Sequence, residues 1–142
     1  MRSFLVDINV WVALAYEGHV HHERANRWFE STDLERAFFC RITQIGLLRL
    51  LTNRAVMGRD VLTQRQAWRI YDRLLQDQRV GFLNEPPGTE KRFRELTTGS
   101  LPSTKQWADA YLAAMAGSVE MPLATLDASL AKTAGLSAVY LG

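Results

Sequence analysis

The chain has 142 residues, of which 47% are hydrophobic and 23% charged, with a formal net charge of +2. A domain near this size buries about two-thirds of its unfolded surface, so this composition suits a single globular unit over residues 1–142 rather than a disordered chain. Its one cysteine, Cys40, excludes an intrachain disulfide and a cysteine-based zinc cluster, and no run approaches the roughly 20 apolar residues of a membrane span.

Phe4-Leu5-Val6 is too short an apolar run for a secretory leader. A cytoplasmic location with no membrane segment is therefore expected. The net charge says little about partners, but its distribution says more. Residues 49–73 carry Arg49, Arg54, Arg59, Arg65, Arg69 and Arg73 against Asp60 and Asp72. Such a stretch suits either contact with phosphates or a solvated helix face.

Ser3 to Val6 predicts a buried strand ending at Asp7, followed by a short helix over Asn9–Ala15. A second helix is expected over His19–Ser31, with Ala25, Trp28 and Phe29 at helical spacing, and a second strand over Ala37–Ile42. Thr43 is placed to cap a helix reaching Leu51, with Ile45, Leu47, Leu48, Leu50 and Leu51 as its apolar set. Asn53–Asp60 reads as a connection turning at Gly58.

Thr63-Gln64-Arg65-Gln66 has the form of a capping box and opens a helix carrying Ala67, Ile70, Tyr71, Leu74 and Leu75 on one side. Val80–Leu83 is a third strand, closed by Pro86-Pro87-Gly88, and a short helix follows over Thr89–Leu96. Ser103-Thr104-Lys105-Gln106 repeats the capping-box pattern before a helix with Trp107, Tyr111, Ala114 and Met115 on one side. Leu123–Leu126 is a fourth strand ending at Asp127. Ala128–Ala134 is a helix stopped by Gly135, and Ala138–Leu141 is a last strand. Strands alternating with helices imply an α/β three-layer sandwich around a mostly parallel sheet of four to five strands.

In an open parallel sheet, ligands bind beyond the carboxyl ends of the strands, where the strand order reverses. Asp7 and Asp127 follow the first and fourth strands, which are neighbours in the common doubly wound order. Asp109, expected in the second turn of the preceding helix, stands near the same edge. Three carboxylates gathered there repel one another unless a cation is present. Their hard oxygen donors select Mg²⁺ or Mn²⁺, which can activate water at a phosphodiester. Singly, Asp7 and Asp127 also suit plain helix caps, and Asp109 an exposed helix position.

Other signals carry less. His19, His21 and His22 lack a further ligand at zinc spacing and suit surface or capping roles. Cys40 falls in a predicted strand and reads as core. The glycines form neither GxGxxG nor GxxxxGK[ST]. Trp11, Trp28, Trp68 and Trp107 sit at helical spacings and are expected in the core rather than as base-stacking platforms.

Three segments resemble the PIN-domain family, and specifically VapC-type toxins. Phe4-Leu5-Val6-Asp7-Ile8-Asn9-Val10-Trp11 is similar to the family's first strand with its acid and following Asn. Trp107-Ala108-Asp109-Ala110-Tyr111-Leu112-Ala113-Ala114-Met115-Ala116 resembles the helix bearing a later acid, and Leu123-Ala124-Thr125-Leu126-Asp127 the fourth-strand motif. The resemblance implies Asp7 and Asp109 as Mg²⁺ ligands, Asp127 completing a catalytic pocket, and Asn9 and Thr125 as polar supports. It also implies cleavage of RNA, inhibition by a cognate antitoxin and a homodimer; in the hydrolysis so expected, arginines such as Arg49 position the phosphate. The family's glutamate early in the helix after the second strand has no counterpart. In Thr43-Gln44-Ile45-Gly46-Leu47-Leu48-Arg49, either Gln44 or Gly46 holds that place, which favours one metal over two.

Two other functions fit part of the pattern. A haloacid-dehalogenase-like phosphatase also has an acid ending its first strand, but resembles DxDx(T/V), and Asp7-Ile8-Asn9 lacks the second acid. A catalytically weakened PIN fold that binds RNA or a partner without cleaving is the reading the missing glutamate motivates.

Overall fold

The computed structural model describes residues 2–104, 106–135 and 138–142. Its elements run β1 (Arg2–Val6), α1 (Ile8–Ala15), α2 (His22–Phe29), β2 (Leu34–Phe39), α3 (Arg41–Leu51), α4 (Arg54–Met57) and a 3₁₀ turn (Gly58–Asp60). They continue through α5 (Gln64–Leu75), β3 (Val80–Phe82), α6 (Thr89–Leu96), α7 (Trp107–Ser118), β4 (Leu123–Thr125), α8 (Ala128–Ala134) and β5 (Ala138–Tyr140).

The five strands form one sheet in the order β3-β2-β1-β4-β5, every pairing parallel. β1 is central, with Leu5 opposite both Phe38 of β2 and Leu123 of β4. A central parallel strand is covered on both faces, which is why Phe4, Leu5 and Val6 are all buried. Their side chains alternate between two cores. Phe4 and Val6 face one built with Val10, Trp11, Phe29, Leu47, Leu51 and Tyr71 from α1, α2, α3 and α5. Leu5 faces the other, with Leu112, Met115 and Leu130 from α7 and α8. Helices thus lie on both sides of the sheet, as the alternation of elements predicts.

Several boundaries differ from the sequence reading. β2 starts at Leu34 and ends at Phe39, because its register against β1 carries pairing back through the charged Glu35 and Arg36. Cys40 is accordingly the N-cap of α3, still buried, and Thr43 sits inside the first turn, its Oγ1 accepting from the Cys40 N–H at 2.9 Å. α2 is shorter than expected, and Asn53–Asp60 contains a short helix and a 3₁₀ turn rather than a bare connection. The capping box of α5 forms as read: Thr63 Oγ1 accepts from the Gln66 N–H at 3.2 Å, and Gln66 Oε1 accepts from the Thr63 N–H at 2.9 Å.

The second predicted capping box does not open α7. Gln106 is its N-cap, in a left-handed conformation (φ +73°) with no side-chain cap bond; Lys105 lies outside the described residues. The tryptophan expectation holds in part. Trp11 is buried and stacks on Phe39 at 3.8 Å, and Trp28 meets Phe4 edge-on. Trp68 and Trp107 are 46% and 53% exposed, so neither is a core residue. Periodicity marks a helix face without saying whether another element covers it.

Candidate functional site

β1 and β4 are hydrogen-bonded neighbours, but the connections leaving them run to opposite sides of the sheet. That reversal opens a crevice at their carboxyl ends. Asp7 follows β1 directly and Asp127 lies two residues beyond β4, so both reach the crevice from strand ends. Asp109 arrives from α7, where it occupies the first turn rather than the second because the helix begins at Trp107. The three carboxylates line one cavity of about 290 Å³ together with Ile8, Asn9, Gly46, Arg49, Leu50 and Asn53.

Thr125, fully buried at the end of β4, ties two of the acids together. Its hydroxyl donates to Asp7 Oδ2 at 2.8 Å and accepts from the Asp127 N–H at 2.9 Å. Asp7 Oδ1 accepts from the Ile8 N–H at 2.7 Å, and Asp127 Oδ1 from Ser129 N–H at 2.8 Å and Leu130 N–H at 3.4 Å. Both aspartates therefore cap helices and also line the cavity. The capping and the acidic-site readings coexist.

Burial pushes the Asp7 carboxyl above its ordinary range, outweighing the Thr125 and Ile8 hydrogen bonds that favour the anion, and the charges of Asp109 and Asp127 push it further. Asp109 is raised by burial first and by Asp127 second. Among the described residues no ion pair involves any of the three acids or Arg49. Uncompensated negative charge in a partly desolvated cavity favours a cation. No three His, Cys, Asp or Glu side chains among the described residues form a ready-made metal cage. The donor set fits a hydrated Mg²⁺ or Mn²⁺ ion, since Mg²⁺ uses one or two carboxylates and retains several waters.

Asn9 and Arg49 both line the cavity. Gln44 does not. It is buried, accepts from Arg41 Nη1 at 2.6 Å and shares a hydrogen bond with Tyr71, away from the acids. Of the two residues left open for the missing glutamate, Gly46 faces the cavity. A Cβ built there would lie 2.4 Å from Ile8 Cδ1 and 2.6 Å from Ile8 Cγ1, so Ile8 fills the room a side chain would need.

The other arginines of the basic stretch are exposed on α4, the 3₁₀ turn and α5, and none of them lines the acidic cavity. His22 Nδ1 lies 2.7 Å from the Ala13 carbonyl and His19 Nδ1 accepts from the His21 N–H at 3.0 Å, both local structural contacts. Asn53 was missed as a cavity residue. Its signal was local: an Asn four residues beyond Arg49, where a helical turn repeats.

The PIN-domain family model matches residues 4–136. Ribonuclease VapC41 of Mycobacterium tuberculosis is 41% identical over 137 residues, covering 93% of this chain and 94% of the relative. Ribonuclease VapC29 of the same organism is 33% identical over 142 residues, covering 98% and 96%.

Among solved structures, the chain superposes on M. tuberculosis VapC20, described as a sarcin-ricin loop cleaving toxin, with a TM-score of 0.66 at 15% identity, covering 94% of this chain and 97% of that one. It superposes on FitAcB from Neisseria gonorrhoeae with a TM-score of 0.65 at 21% identity, covering 97% of each chain. At those identities the superpositions speak for the fold alone, whereas the family model and the VapC ribonucleases span nearly the whole sequence. The chain belongs to the PIN-domain family, among its VapC ribonucleases.

Proposed function

We propose that this PIN-family chain hydrolyses RNA phosphodiester bonds at the acidic cavity, as the toxin of a toxin–antitoxin pair. One observation carries the reading: Asp7, Asp109 and Asp127, far apart in sequence, line a single cavity at the strand reversal. Asp7 and Asp109 are the residues to hold a divalent ion, with Asp127 completing the acidic wall and Asn9 as a polar neighbour. Such an ion, when bound, supplies an acidified water and offsets charge on the phosphate. Thr125 keeps Asp7 aimed and favours its charged form. Arg49, exposed and without an ion-pair partner among the described residues, positions the substrate phosphate.

The phosphatase reading loses ground because Asn9, not an acid, stands two residues after Asp7 in the cavity wall. A weakened, RNA-binding module retains one supporting observation, the absence of any side chain at Gly46. The toxin reading also carries a protein antitoxin, a cytoplasmic setting and a homodimer. An exposed apolar groove lined by Ile45, Leu48 and Trp68 on α3 and α5 supplies a surface for self-association, which light scattering would measure.

The test is to purify the wild type and Asp7→Asn and to follow cleavage of cellular RNA with Mg²⁺, with Mn²⁺ and with EDTA. Metal-dependent cleavage lost in Asp7→Asn is expected. Equal cleavage by both proteins would overturn the assignment, and tight RNA binding without turnover would favour the binding module.

A further inference from the structure

The cavity has two chemically different sides. The strand ends and α7 contribute carboxylates, while α3 and the turn after it contribute Arg49 and Asn53. The chain keeps its helical path across this turn, with the Asn53 N–H donating to the Leu50 carbonyl at 3.2 Å. Residues four apart then share a face. Asn53 is the N-cap of α4, and its Oδ1 accepts from the Ala55 N–H at 2.9 Å.

That bond settles which way the amide is turned. Only the oxygen of an asparagine side chain can accept from an N–H, so the Nδ2 group is the end left for the cavity. It has no hydrogen-bond partner among the described residues. The α3 side of the cavity thus offers a guanidinium and an amide NH₂ as its polar side-chain groups. Donors without acceptors suit an anion, in the same space where the opposite wall suits a cation.

We propose that Asn53 is a catalytic residue that donates from Nδ2 to a non-bridging oxygen of the scissile phosphodiester, beside Arg49. This rests on the nuclease reading and adds a substrate contact to it. The α4 cap serves to aim the donor: the bond that stabilises the helix also holds the amide in the orientation the phosphate needs.

Capping and phosphate contact separate by substitution, because serine and aspartate are both good N-caps and neither has the amide donor. In Asn53→Ser, the thermal midpoint should stay at the wild-type value while kcat/KM for RNA falls about ten-fold, the size of one lost hydrogen bond to a charged group. Asn53→Asp should keep the midpoint and lose more, because it sets a carboxylate against the phosphate. A wild-type kcat/KM in Asn53→Ser would assign the residue to capping alone. Losses in both variants that follow a fall in the midpoint would do the same.

A binding arm separates failure of this contact from failure of the nuclease reading. Fluorescence anisotropy with a short fluorescein-labelled single-stranded RNA compares Asp7→Asn with Asp7→Asn/Asn53→Ser, neither of which needs to turn over. Weaker binding by the double variant supports the contact even if the wild type cleaves nothing, and equal binding overturns it.

Discussion

Replacing Thr125 with valine removes one oxygen from a buried site and changes little else in shape. The lost hydroxyl is the donor to Asp7 Oδ2 at 2.8 Å and the acceptor for the Asp127 N–H at 2.9 Å. A hydrogen bond to a charged group contributes about 1.5–3 kcal/mol and a neutral one about 1 kcal/mol, so Thr125→Val should cost about 3 kcal/mol near neutral pH. For a chain of this length that is a fall of roughly 10 °C in Tm.

The loss should depend on pH. Thr125 favours the charged form of a carboxyl whose pKa burial already raises. Removing it raises that pKa further, and a neutral carboxyl needs the donor less. The deficit should therefore be largest at neutral pH and shrink as pH falls through the Asp7 pKa of the variant. Urea unfolding in EDTA, at about pH 7 and about pH 4.5, measures both values, with Thr125→Ser as the control that restores the hydroxyl. A deficit below about 0.5 kcal/mol, or one equal at both pH values, would refute the account of Thr125 as the clasp between the two acids.

Asp7→Asn should lose cleavage yet gain thermal stability near neutral pH, since it removes a buried, repelled charge while keeping an oxygen for the Ile8 N–H. Because the folded-state pKa of Asp7 is raised, the wild type recovers stability as pH falls through it, so the advantage of Asp7→Asn should vanish in the ordinary carboxylate range; calorimetry across pH would show it. Arg49→Gln should weaken RNA binding evenly across sequences and flatten the slope of log affinity against log salt by about 0.7, as read by anisotropy titrations. Gly46→Ala should destabilise the fold by about 1–3 kcal/mol because its Cβ would meet Ile8. The cost should largely disappear in an Ile8→Ala background, which a double-mutant cycle of urea midpoints would measure.

Much of the architecture is legible in the amino-acid sequence. Alternating apolar runs and capped helices, each a local pattern, determined a parallel sheet with helices on both faces. They also put Asp7 and Asp127 at strand ends, because the residue after a strand is readable from where the apolar run stops. The pairing of β1 with β4 then brings those two acids to one crevice.

What the tertiary structure alone decided were questions of facing. Gln44 and Gly46 lie two apart on one helix, so they point to different neighbours. Only the packing of α3 between α1 and α5 settles that Gln44 meets Tyr71 while Gly46 meets Ile8. Trp68 and Trp107 have the periodicity of core residues, but each is only half covered, by Tyr71 and by Phe93 of α6 respectively. The side-chain period of a helix records which residues share a face. What lies opposite that face depends on distant segments, whose approach no local pattern encodes, and the donor wall of Arg49 and Asn53 across from three carboxylates is of that kind.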